Sequence, residues 1–124
     1  DLTLRECIDV TKRAFAVVNH GRVTIMEDFD VTLQLICQGF KNVILTEYAQ
    51  DQAATQLPGG CSDYRSLQVH NENVQVMAKL HPGYTKMVTK KNISGAAVRG
   101  GLHERLELNI NWQKCFFQTV AELL

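Results

Sequence analysis

The sequence predicts an all-β fold, a small closed barrel with one short helix, on three observations. Between Val88 and Ile110, the apolar residues Val98, Leu102, Leu106, Leu108 and Ile110 take even positions while Arg99, His103, Arg105 and Glu107 take odd ones. That is the period of a strand with one buried face. Gly95, Gly100 and Gly101 interrupt the run where a strand would kink or bulge, as barrel corners require. Upstream, Phe29, Val31, Leu33, Leu35 and Cys37 alternate with Asp30, Thr32, Gln34 and Ile36, the longest clean alternation in the chain and the expected central strand.

Each remaining element follows in order. Leu2, Leu4, Ile8 and Val10 share one parity and suit an opening half-buried strand, although Leu4, Ile8 and Thr11 also recur at helical spacing. Arg13 to Val18 reads as a second β piece, and Asn19-His20-Gly21 as a hairpin turn before Arg22 to Ile25. After the central strand a long loop is expected at about 39–60, closing on Leu57-Pro58-Gly59-Gly60. Tyr64 to His70 is the next predicted strand. Asn71-Glu72-Asn73 then caps a short helix carrying Val74, Met77, Ala78 and Leu80. His81-Pro82-Gly83 should stop it, because proline lacks an amide donor and disfavours helix in the residue before it. Another helical turn is expected from Tyr84 to Val88. Asn109 to Trp112 reads as a turn, and Lys114 to Leu123 as the strand that closes the barrel.

The composition bounds what this fold can do. A chain of 124 residues has room for one domain, 1–124, with its own core. No apolar run approaches the roughly 18 residues of a membrane span, so no membrane partner is expected. The formal net charge of +0 removes the simplest argument for a nucleic-acid binder, a basic whole domain. Asymmetry survives, however. Lys79 to Arg105 holds six basic side chains against Glu104 alone, whereas Glu27 to Glu72 holds seven acidic ones against Lys41 and Arg65. The two poles could meet different partners. Cys7, Cys37, Cys61 and Cys115 contain no C-x-x-C pair and read as free thiols. Since the chain opens on Asp1, an excised or mature domain is expected, in which a targeting segment would be invisible.

Catalysis is not expected. Asp28 with Asp30, and Glu104 with Glu107, are the close acidic pairs, and both read as solvated strand charges. The four histidines, His20, His70, His81 and His103, show no metal-ligand spacing, and Gly59-Gly60 and Gly100-Gly101 are too short to cradle phosphates. No metal and no cofactor is expected. Single-strand binding needs a basic groove and exposed aromatics for stacking. Lys86, Lys90, Lys91, Arg99, His103, Arg105 and Lys114 supply the first, with Tyr64 and Trp112 as the aromatics nearest strand ends. An ordinary polar barrel exterior accounts for the same cations equally well.

The order Tyr84, Lys90-Lys91, Ile93 to Val98, Arg99-Gly100 and Leu102 to Leu108 resembles the later half of bacterial and mitochondrial single-stranded DNA-binding proteins. Arg65 to Glu72 resembles their third strand and Gln118 to Leu124 their closing strand. Those are five-stranded OB folds. Within the group, D-L-T-L-R-E-C-I-D-V, A-F-A-V-V-N and F-D-V-T-L-Q-L are most similar to the OB-fold interaction proteins of the kinetoplastid RNA-editing complex. This resemblance implies a non-catalytic, mitochondrial assembly module that binds RNA weakly and pairs with other OB-fold subunits. The pairing edge would be the first strand, through Leu2, Leu4, Cys7, Ile8 and Val10, whose free backbone groups could take a neighbour's strand. A mitochondrial single-stranded DNA-binding protein is the first alternative. A self-assembling Sm-like or viral matrix protein is the second, since Val98-Arg99-Gly100-Gly101 resembles an Sm motif.

Overall fold

A computed structural model of the chain describes residues 4–42, 46–49, 51, 66–90 and 104–123. The elements are α1 (Leu4–Ala16), α2 (Glu27–Cys37), α3 (Leu67–Leu80), β1 (Thr85–Lys90), β2 (Arg105–Ile110) and α4 (Trp112–Leu123). The described residues contain one sheet, a two-stranded antiparallel pair in which Thr85 faces Ile110 and Lys90 faces Arg105. The expected five-stranded OB barrel is therefore not the fold.

Most of the correction lies in segments where helical and strand periods compete. In α2 the buried residues are Asp30, Leu33 and Ile36, three apart, which is the spacing of one helix face. The apparent alternation of Phe29 to Cys37 came from apolar residues distributed around the helix, and it put Asp30 on the wrong side. In α4, Cys115 and Thr119 are buried one turn apart, so the expected closing strand is a helix. The opening segment takes the helical option as well. With the backbone of Leu4 to Val10 coiled into α1, it is not extended and presents no strand edge. The interface expected at Leu4, Cys7, Ile8 and Val10 loses its basis, and Leu2 lies outside the described residues. Arg13 to Ala16 belongs to the same helix, and Arg22 to Ile25 forms no strand.

Helix α3 begins four residues before the expected cap. Ser66 in extended conformation accepts a hydrogen bond from the Val69 amide, 3.1 Å, and starts the helix at Leu67. Residues 67–70 are therefore helical, not strand. Its end agrees with the sequence: Leu80 is the last helical residue before His81-Pro82-Gly83. The residues after that stop extend into β1 instead of making another helical turn. β2 also follows its parity over the described part. Leu108 and Ile110 pack against the core, while Arg105 and Glu107 ion-pair with each other on the other face.

The core is formed by Leu33 and Ile36 of α2, Met77 of α3 and Cys115 of α4, with Leu108, Ile110, Tyr84 and Trp112 packed around it. α3 covers the hairpin and α2 packs on α4. Two polar side chains lock α3 to β2. Asn71 accepts from the Leu106 amide, 2.9 Å, and donates to the Glu104 carbonyl, 3.0 Å, while His70 Nε2 meets the Leu106 carbonyl at 2.8 Å. No described helix is long and apolar enough to cross a membrane.

Candidate functional site

The connection from α1 to α2 is irregular, and it is held in place by side chains from α2 and α3. Buried Asn73 accepts from the amides of Thr24 and Ile25, at 2.8 and 3.3 Å, and donates to the Val69 carbonyl, 2.8 Å. Gln34 clasps Asn19 at both backbone groups, at 2.7 and 3.0 Å. Met26 then turns the chain into α2 with φ of 68°, a left-handed conformation that costs a non-glycine residue roughly 1–2 kcal/mol. These restraints set Arg22 over the first turns of α2.

There Arg22 meets Asp30. Its Nε donates to Asp30 Oδ2 at 3.1 Å and its Nη2 donates to Oδ1. His81, at the end of α3, reaches the same Oδ1 through Nε2 at 2.7 Å, and Gln34 donates to Oδ2 at 2.9 Å. Asp30 is 2% exposed and His81 6%. A buried carboxylate of this kind persists only when it is paired and hydrogen-bonded. Burial by itself would raise the Asp30 pKa, but the hydrogen bonds and charges of Arg22 and His81 outweigh it and hold the carboxyl below its ordinary 3.8. An ionised Asp30 only accepts, so the hydrogen on the His81–Asp30 bond belongs to His81 Nε2. Nδ1 is then the ring nitrogen that Asp30 does not hold.

Arg22 and His81 line a cleft of about 520 Å³, together with Gln34, Cys37, Gln38, Tyr84 and Gln118. Only two of the five Arg22 N–H groups are engaged by Asp30, leaving donors for an incoming anion. At the rim, Cys37 Sγ lies 3.5 Å from Cys115 Sγ. Burial, and then the neighbouring Cys37, push the Cys115 thiol up to about 12. Tyr84 is raised too, chiefly by burial. Among the described residues no group of three or more His, Cys, Asp or Glu could hold a metal ion.

The residues expected to contact nucleic acid separate into three sets. Lys86, Trp112 and Lys114 come together around a second cavity of about 530 Å³, between the foot of the hairpin and the start of α4. Lys90 and Arg105 are cross-strand partners, and both are drawn to Glu107, at 3.6 and 2.9 Å. Tyr64, Lys91, Arg99 and His103 lie outside the described residues. Sequence reasoning missed Arg22, Asp30 and His81. Asp30 and His81 are 51 positions apart, so no local spacing could have joined them.

No family model matches the chain, and no solved structure does. Two curated proteins are similar to it, the Beta-glucosyl-HMC-alpha-glucosyl-transferases of Enterobacteria phage T2 and Enterobacteria phage T6. Each is 30% identical over 81 residues, which is 65% of this chain and 29% of the relative. The match thus spans under a third of the length of those relatives. Both are named as transferases, and neither name gives support to the non-catalytic expectation.

Proposed function

We propose that the chain is part of a glucosyltransferase-related protein, and that the cleft at Arg22 and His81 holds the phosphate end of an activated glucosyl donor. The Arg22–Asp30–His81 cluster on the cleft wall carries the reading, and the activity in the relatives' names supplies its class. Glucosyl transfer breaks the bond between the sugar's C1 and a phosphate oxygen, and the electron pair leaves with the phosphate. A bond forms between C1 and an acceptor hydroxyl oxygen, which gives up its proton. Negative charge therefore grows on the leaving phosphate, where fixed guanidinium donors are worth most. Arg22 faces that charge. His81, oriented by Asp30 through Nε2–H, takes the acceptor's proton at Nδ1. Asp30 is a positioning residue for both.

The test is calorimetric titration of the chain with a nucleoside diphosphate glucose, for the parent, Arg22→Lys and Arg22→Gln. Loss of a charge-assisted contact is expected to weaken Arg22→Gln by roughly 10- to 150-fold, with Arg22→Lys between it and the parent. Circular dichroism confirms that each variant is folded. Equal affinity in all three would overturn the assignment. The RNA-editing role expected from the sequence depended on a barrel and its edge strand, and with the fold corrected the anion cleft is the better supported site.

A further inference from the structure

We infer that the second cavity, at the foot of the hairpin, binds a strand of single-stranded nucleic acid, with one base stacked on Trp112 and phosphates held by Lys86 and Lys114. This does not rest on the glucosyltransferase reading, since it uses a different cavity and different residues. Trp112 is half-buried, braced by the edge of Phe29 at 6.0 Å, and lines the cavity. A braced indole loses little freedom when a flat ring settles on it. Among the described residues, Lys86 and Lys114 have no ion-pair partner, unlike Lys90 and Arg105. Both are exposed and line the cavity with Trp112.

A strand fits better than a free nucleotide because the cations continue beyond the cavity. Lys86 and Lys90 share one face of β1, four residues apart, a run of ~13 Å. Glu107 offsets only part of the charge that Lys90 and Arg105 add at the far end. A polymer of phosphates can follow such a row, and a single phosphate cannot. The two cavities share the Gly83–Tyr84 wall, so a strand seated here lies beside the Arg22 cleft.

Trp112 is the single tryptophan of the chain, so its fluorescence reports the site directly. The experiment titrates the chain with an eight-nucleotide thymidine oligomer, and separately with thymidine monophosphate, at two salt concentrations. The oligomer is expected to quench saturably and the monophosphate much more weakly. Affinity should fall with added salt, and Lys86→Gln/Lys114→Gln should reduce the log–log salt slope by about 1.4, two phosphates at ~0.7 each. Trp112→Phe keeps a stacking ring and should retain binding by oligomer anisotropy, whereas Trp112→Leu should lose roughly 5- to 150-fold, the span for one stacked base. The lysine variant, changed at two exposed positions, keeps the test decisive if Trp112→Leu does not fold. Absence of quenching at low salt, an unchanged slope in the lysine variant, or equal binding of the monophosphate would overturn the inference. Donor titration into the Arg22 cleft proceeds in parallel, and it should succeed or fail independently.

Discussion

Replacing Asp30 by Asn removes one charge from the centre of the molecule and turns one of its two acceptor oxygens into a donor facing Arg22, His81 and Gln34. Breaking a buried ion pair by deleting one member typically costs about 3–5 kcal/mol. The Arg22 side chain is 24% exposed and can recover hydration, whereas that of His81 is only 7% exposed and cannot. The loss should therefore fall near the lower end, about 3 kcal/mol, and lower the melting temperature by roughly 10 °C or more for a chain of this size. Urea unfolding followed by circular dichroism and Trp112 fluorescence measures it. The pH dependence adds an independent check. Because the folded Asp30 pKa lies below its ordinary 3.8, the unfolded chain takes up this proton first as acid is added. The resulting stability is fully present above 3.8 and is lost as pH falls through the lower, folded value. The Asn variant should lack this part of the acid slope. A loss under about 1 kcal/mol, with the acid limb unchanged, would refute the reasoning that Asp30 neutralises the cluster.

Other expectations follow from the same contacts. Asn73→Ala leaves the buried Ile25 amide without its acceptor and should cost about 1–3 kcal/mol by urea unfolding. Because Asn73 also pins Thr24, two residues from Arg22, the same variant should weaken donor binding more than its loss of stability explains. Cys37 is exposed, while burial holds the Cys115 thiol up at about 12, so iodoacetamide at neutral pH should label Cys37 well before Cys115. Peptide mass mapping of the folded protein checks this, and equal labelling of the two would contradict the packing of α2 on α4.

How far the fold could be read from the sequence depended on whether two periods competed in a segment. Over β2, only the strand pattern is available, and the inward Leu108 and Ile110 were legible, as was the stop of α3 at His81-Pro82. In α2 and α4, apolar residues occupy more than one face, so a strand pattern can be drawn through a helix. Phe29, 41% exposed, is apolar and outward, while Asp30 beside it is polar and inward. Hydropathy alone inverts both. In α1, Leu4, Ile8 and Thr11 signalled the helix that formed, against the shared parity of Leu2, Leu4, Ile8 and Val10 that suited a strand. The site was less legible still. Lys86, Trp112 and Lys114 were singled out as cations and an aromatic near element ends, and they do share a cavity. Asp30 and His81 carried no local signal, because a carboxylate reads as solvated until a distant arginine and histidine are shown to bury it.

The claim on which the functional account rests is that Arg22 and His81 face an anion in one cleft. Nitrogen-15 resonances of the His81 imidazole, recorded while a nucleoside diphosphate glucose is titrated into the chain, test it most directly. A saturable shift of His81 that Arg22→Gln strongly weakens is expected, with Trp112 unaffected. A His81 signal that stays unmoved while the donor binds elsewhere would contradict it.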